Sequence, residues 1–278
     1  MPDLVRQTVL LKRGLKYLLR LKRAKVQILR SHVLQAIEGE QAVQRVVLSE
    51  VKTQSNYITG HTKTFSVDTV CIGYGLIPRA WLTSMLGCKH LYNPLVDAWV
   101  PHFDENMQTN QPGVFVAGDC AGVAGALVAR SQGTLAGLYA AAYAGIISTE
   151  KARKFALLVR RQLVSESKFC SAMDNIYRIY PAIYDNITDD TIVCRCEDVK
   201  AGAIRRAIRD GTSDLNDIKK RTRVGMGYCQ GANCLPAVAA ILSREFNVRK
   251  ENIGMMTTRP PAMPIPLNLL MVDMENDT

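Results

Sequence analysis

The sequence predicts an α/β chain that ends in a small, mostly helical unit organised around cysteines. Three observations carry this reading. Two short apolar runs, 67–72 and 113–117, each enter a glycine turn, as the central strands of a parallel sheet do. An Ala- and Gly-rich stretch, 122–147, follows the second run. Near the C-terminus, Cys194-Arg195-Cys196 is followed by Cys229-Gln230-Gly231-Ala232-Asn233-Cys234.

Taken in order, residues 4–29 read as a basic amphipathic helix, with Leu4, Leu11, Leu15 and Leu18 at helical spacing. Packing of this helix on its own domain is the expectation, and an anionic membrane surface is the alternative. Strand-like runs at 26–29, 33–37, 43–51 and 64–67 follow, separated by turn residues, and suggest a β-rich portion with a hairpin. The small residues Gly133, Ala136, Gly137, Ala140 and Ala144 would let the helix of 122–147 approach a sheet or cofactor closely. Strand, glycine turn and helix together form the geometry that binds phosphates and dinucleotides. Residues 151–185 read as helix, with Leu157, Leu158, Leu163, Phe169 and Ile176 facing inward. Two short helices are expected between the cysteine pairs. One covers 199–210, and the other is capped by Ser213 and carries Leu215 and Ile218. After Ile253 a Met- and Pro-rich segment reads as an extended strap.

Composition narrows the class. With 278 residues, 47% of them hydrophobic, the chain has material for a core, which excludes a disordered chain, a fibre or a small disulfide scaffold. The longest mildly apolar run, 133–147, falls short of the ~20 residues of a spanning helix. The formal charge of +10 is uneven: residues 1–60 hold 11 Lys and Arg against 4 Asp and Glu. Solvated helix faces account for this charge, and no basic patch interleaved with aromatics points to nucleic acid. The N-terminal leucines are interrupted by Lys12, Arg13, Lys16 and Arg20, so no secretory signal is evident. A cytoplasmic location is expected, with the inner face of a membrane as the place for peripheral association. In a reducing compartment, clustered thiols indicate metal or redox chemistry.

Cys194 and Cys196, two apart in an extended segment, can present two thiolates on one side. Cys229 and Cys234 flank a glycine-containing loop, and Leu235-Pro236-Ala237 opens a helix whose dipole would favour a thiolate at Cys234. Gly225, Gly227 and Gly231 free the backbone to turn N–H groups toward sulfur. A C-x-C pair with a C-x4-C pair favours iron–sulfur over zinc, which usually takes C-x2-4-C pairs, and zinc stays open at this point. Cys71, Cys88, Cys120 and Cys170 are scattered, and Cys120 reads as a small packing residue. The four histidines are isolated, and Trp81 and Trp99 read as packing residues. No Ser/His/Asp set or carboxylate pair is apparent, so the catalytic residues are unknown.

The segment from Cys194 to Val199 with Lys220–Gly231 and Cys234 resembles the bacterioferritin-associated-ferredoxin-like (BFD-like) [2Fe-2S] domain. The wider likeness is to the FAD-containing alpha subunits of opine oxidases, hydrogen cyanide synthase and dye-linked proline or hydroxyproline dehydrogenases. Arg259-Pro260-Pro261 and Pro264-Ile265-Pro266-Leu267 look like that family's C-terminal strap. Residues 109–119 (TNQPGVFVAGD) resemble the second FAD fingerprint of the disulfide-reductase-like flavoproteins, and 68–78 the strand and turn before it. The resemblance implies the C-terminal part of a two-dinucleotide-binding-domain flavoprotein fold, followed by a BFD-like domain. It implies Cys194, Cys196, Cys229 and Cys234 as ligands of a [2Fe-2S] cluster, and Gly118 and Asp119 as the flavin contact, Asp119 on the ribityl chain.

The G-x-G-x-x-G turn that opens such flavoproteins does not occur in this sequence. The expected organisation is therefore 1–66 as the remnant of the inserted NAD(P)-binding-like domain and 67–150 as the C-terminal half of the FAD-binding domain. A helical linker at 151–190 and the [2Fe-2S] domain with its strap at 191–278 complete it. The function implied is electron transfer between flavin and cluster in a heteromeric amino-acid or opine dehydrogenase or oxidase. The implied partners are a second, FAD-containing catalytic polypeptide, a quinone or other electron acceptor, and a separate N-terminal FAD-binding polypeptide. The alternatives are a metal-stabilised, non-enzymatic basic module and a fragment without turnover.

Overall fold

A computed structural model of the chain describes residues 8–52, 57–177, 179–212 and 214–270. The first helix, α1 (Thr8–Arg23), stops at Arg23, and Leu4 lies outside the described residues. Residues 26–29 are irregular rather than a strand. Leu15, Leu18 and Leu19 are about half exposed, and an added Cβ at Gly14 would meet nothing within 4 Å. The expectation that this helix packs on its own domain is thus not met. Its amphipathic pattern reflects a face with no cover among the described residues.

Strands β1 (His32–Glu38), β2 (Arg45–Lys52) and β3 (Tyr57–Ser66) form an antiparallel meander. The expected hairpin is present, with register shifts in both pairings. Val33 and Val51 are buried with Ala182 on one face of the sheet.

Residues 67–80 run on without regular secondary structure. The apolar strand expected at 67–72 does not form. Leu34, Val46 and Leu48 of the sheet and residues 67 and 69–74 wall a cavity of about 390 Å³, and the Leu34 amide donates to the Tyr74 hydroxyl at 3.3 Å. Leu76 remains 69% exposed. At 113–117 only Phe115 bridges, to Gln108. The reason is the same in both places: a strand exists only when paired, and no parallel neighbour lies beside either run among the described residues.

A short helix, α2 (Trp81–Met85), precedes the hairpin of β4 (His90–Asn93) and β5 (Ala98–Pro101). Next come a 3₁₀ turn (Gly118–Ala121) and α3 (Gly125–Tyr143), which packs on α4 (Thr149–Ile176). Ser148 caps α4 by accepting the Lys151 amide at 3.2 Å. The contact face of this pair is Leu135 and Tyr139 against Ala152 and Ala156. Gly133 and Gly137 point outward with open space around them, so these two glycines do not mediate close approach to a described element, whereas Ala136 packs in the contact with α4. In α4, Leu163 and Phe169 are half-buried, but Leu157, Ile176 and Leu158 (72% exposed) lie on the outer face. The alanines, with a buried Ser131–Glu166 hydrogen bond of 2.8 Å, decide which face turns inward.

The C-terminal unit comprises β6 (Ile192–Cys194), β7 (Val199–Lys200), α5 (Ala201–Arg209), α6 (Leu215–Thr222) and α7 (Leu235–Glu245). Ile204, Leu215, Ile218, Val238 and Leu242 make its core with the thiols of Cys194 and Cys234. Asp214 caps α6, accepting the amides of Asn216 and Asp217 at 2.7 and 2.9 Å. The expected cap, Ser213, lies outside the described residues. The strap runs from Ile253 to a 3₁₀ turn at Leu267–Leu270.

Candidate functional site

The four clustered cysteines come from two places that the helical core brings together. Cys194 ends β6 and is buried, Cys196 follows in the exposed turn, and Cys229 and Cys234 lie on the loop before α7. Pro236 occupies the first turn of α7, where its missing N–H is harmless, and Cys234 stands at the N-cap. The thiols interact across the two segments: Cys229 with Cys196, and Cys234 with both Cys194 and Cys229. Among the described residues no three His, Cys, Asp or Glu side chains gather around one ion-sized point. Four thiols contributed by two segments supply the donor set of a [2Fe-2S] cluster.

The electrostatics of Cys234 and Cys229 differ. Burial first, then the neighbouring sulfurs of Cys194 and Cys229, push the Cys234 thiol well above its usual range. Burial also acts to raise Cys229, but backbone hydrogen bonds from Asn233, Gly231 and Ala232 and the Cys196 thiol outweigh it, so Cys229 falls below its usual value. Thiols crowded in this way favour a bound cationic centre, which replaces their mutual repulsion with ligation.

The backbone shapes the cradle. A Cβ at Gly227 would collide with the Cys196 Cβ, so only glycine lets the two cysteine segments approach. Gln230, with φ of 50°, turns the loop, and its side-chain amide donates to the Met226 and Gly227 carbonyls at 3.0 and 2.9 Å. Arg223 also sits in the left-handed region and donates to Glu197 at 2.7 Å, tying the end of α6 to the C-x-C turn. The residues present fit a [2Fe-2S] cluster.

Gly118 and Asp119 open the 3₁₀ turn before α3. Gly118 has φ of 70°, and its amide donates to Gln132 Oε1 at 2.8 Å. The Asp119 carboxylate is exposed. Cys120 donates to the Ala117 carbonyl at 3.1 Å and packs locally. A free carboxylate on a glycine turn fits a flavin ribityl hydroxyl. The described residues offer no glycine-rich turn for a pyrophosphate.

The cluster loop lies against the other half of the chain. Gln230, Gly231 and Ala232 share a narrow crevice of about 40 Å³ with Ile77, Trp81 and Trp99. Beside it stands a buried ionic node that sequence patterns did not reveal. Asp97, 6% exposed in the turn between β4 and β5, accepts Lys250 Nζ at 2.7 and 2.6 Å. It also accepts the hydroxyls of Tyr92 and Tyr184. Lys250 stacks over the Tyr184 ring at 4.1 Å. Burial, with the Asp97 hydrogen bond second, raises both tyrosines far above their ordinary value.

Comparison with known proteins agrees with this arrangement. Residues 13–142 match the pyridine nucleotide-disulphide oxidoreductase family, and 192–244 the BFD-like [2Fe-2S] binding domain. The chain is 31% identical over 262 residues to an opine oxidase subunit of Rhizobium meliloti (strain 1021), covering 92% of this chain and 53% of that protein. It is 29% identical over 237 residues to hydrogen cyanide synthase subunit HcnB of Pseudomonas protegens, covering 83% and 49%. It spans about half the length of these curated relatives. Among solved structures, L-proline dehydrogenase from P. horikoshii shares the fold, with a TM-score of 0.64 at 20% identity, covering 91% of this chain and 47% of that one.

Proposed function

We propose that this chain, which matches a pyridine nucleotide-disulphide oxidoreductase domain and a BFD-like [2Fe-2S] binding domain and is similar over most of its length to an opine oxidase subunit, is the electron-relay portion of a heteromeric amino-acid or opine dehydrogenase or oxidase. When bound, the flavin supplies two-electron chemistry and the cluster one-electron steps. Cys194, Cys196, Cys229 and Cys234 hold the cluster. Asp119 orients the flavin ribityl chain, and Gly118 lets the backbone come close to it. The observation that carries this reading is the seam, where the cluster loop at 230–232 and Ile77, Trp81 and Trp99 of the flavoprotein half wall one narrow crevice.

The relay needs neighbours. A second FAD-containing subunit would oxidise the substrate, and a quinone or other carrier would take the electrons. We further propose that the flavin pyrophosphate turn comes from additional polypeptide packed on the exposed apolar stretch 70–77 and on α1. The exposure of Leu76, Ile72 and Leu15 supports this. Among the described residues no helix is long and apolar enough to cross a membrane.

The test is anaerobic purification with iron, sulfide and zinc analysis and electron paramagnetic resonance after reduction. About two irons and two sulfides per chain are expected, lost when Cys194 and Cys234 are both changed to serine. A colourless protein carrying one zinc would refute the relay.

A further inference from the structure

At Met256 the strap turns inward. The side chain is 7% exposed and joins the core that holds Cys194 and Cys234. Its thioether packs against two glycines of the cluster loop. A Cβ at Gly225 would collide with the Met256 sulfur, and one at Gly231 would lie 3.3 Å from it. Met256 also lines the seam crevice with Gly231, Trp81 and Trp99. The next residue fixes it there. Thr257 donates its amide to the Asn216 side chain at 2.8 Å, and its carbonyl accepts Lys219 Nζ at 3.1 Å.

Gly231 links this contact to the cysteines. Its amide is one of those that donate to the Cys229 sulfur. Its carbonyl accepts the Leu235 amide at 3.0 Å, one residue after the Cys234 cap of α7. Gly231 sits at a φ of 83°, and glycine has no side chain to hold one conformation. Packing from outside must therefore keep its amide aimed at sulfur. An unbranched thioether fills such an irregular gap well.

We propose that Met256 is a positioning residue for the cluster: from the strap it braces Gly225 and Gly231 and so holds the Gly231 amide on a ligating sulfur. This inference rests on the ligand set proposed above. Amides that donate to the sulfurs favour the reduced, more negative form of the cluster. With Met256 truncated, the loop relaxes into the vacated space and the donor withdraws from Cys229. The apolar space left behind stays dry, so no water replaces the lost donor.

The experiment poises the iron-loaded chain at one fixed potential near the wild-type midpoint and reads the reduced fraction by electron paramagnetic resonance. Met256→Ala should lower the ratio of reduced to oxidised cluster at least twofold and speed the loss of iron to a chelator. Met256→Leu, which refills the space, should keep the wild-type ratio. Leu215→Ala opens the same core from α6. It should lower stability and leave the ratio unchanged, which separates positioning from packing. Asn216→Ala frees the strap at an exposed hydrogen bond and should lower the ratio in the same sense. It decides the matter if Met256→Ala does not fold. A wild-type protein that holds no two-iron cluster would refute the relay and this inference together. With the cluster present, a ratio unchanged or raised in Met256→Ala and Asn216→Ala, or an equal fall in Met256→Leu or Leu215→Ala, would overturn the role of Met256 alone.

Discussion

The Asp97–Lys250 pair offers the sharpest test of how the two halves are held together. Asp97 accepts four hydrogen bonds in a buried position: two contacts from Lys250 and one from each tyrosine hydroxyl. Lys250→Met keeps the aliphatic stem over the Tyr184 ring but leaves the carboxylate with only the two hydroxyl donors. Removing one partner of a buried ion pair costs about 3–5 kcal/mol. The surviving hydroxyls place Lys250→Met near 3 kcal/mol in that range. Asp97→Asn preserves the left-handed backbone, since asparagine tolerates the φ of 51°, but leaves the ammonium facing a neutral acceptor, at about 3–5 kcal/mol. The double variant removes both charges, so its loss should fall short of the sum by about 2–3 kcal/mol, near the upper end of coupling energies for residues in contact. Urea denaturation at neutral pH measures these terms, with Trp99 fluorescence as the probe, because its ring lies 5.0 Å from that of Tyr92. A coupling energy below about 0.5 kcal/mol, the level expected of independent sites, would show that the node does not fasten the halves.

Other outcomes follow from the same geometry. Gly227→Ala forces a methyl onto Cys196 and should lower iron content and cost about 1–3 kcal/mol, read by iron analysis and thermal unfolding. Asp214→Ala removes the α6 cap and should cost about 1 kcal/mol, measured by urea denaturation of the loaded chain. Stability should fall above pH 10. Tyr184 ionises at 10.0 when unfolded but well above that when folded, so the folded state binds more protons there, and the slope is at most about 1.4 kcal/mol per pH unit for this group. The lowered Lys250 acts in the opposite sense. Because it releases its proton earlier when folded, stability rises with pH between its folded and unfolded values. The tyrosine shift is the larger, so the net alkaline change should be a loss, diminished in Tyr184→Phe. Alkaline denaturation followed by circular dichroism checks the sign.

The parts legible in the sequence were those fixed by near neighbours. The α7 start follows from Pro236, the α6 core face from Leu215 and Ile218, and the meander from the valine-rich run 43–51 between turn residues. What failed depended on distant partners. Leu157 and Leu158 look like an apolar face until Ala152 and Ala156 are found to bring α3 closer. Residues 67–72 look like a central strand, but apolar composition cannot supply a paired edge. Asp97 and Lys250, 153 positions apart, leave no periodic trace. The spacing of Cys194, Cys196, Cys229 and Cys234 suggested a common site, but which thiols face one another is set by how β6 meets the α7 loop.

The seam between the halves combines two kinds of contact with different consequences. Trp81, Trp99 and Ile77 give an apolar surface, and apolar contact is non-directional, so by itself it would tolerate sliding of the cluster loop. Asp97 lines the same crevice while binding Lys250, which lies in the 3₁₀ turn after α7. A carboxylate held by one ammonium and two hydroxyls has a defined direction and few alternative positions. The ion pair therefore sets the register of α7 on the β4–β5 hairpin, and Cys234 is the N-cap of α7. A shift at the node moves a proposed cluster ligand, whereas a small change on the apolar wall is absorbed. The electron path proposed for this chain depends on that register, so the polar node, more than the apolar crevice, is where substitutions should uncouple the halves without unfolding either one.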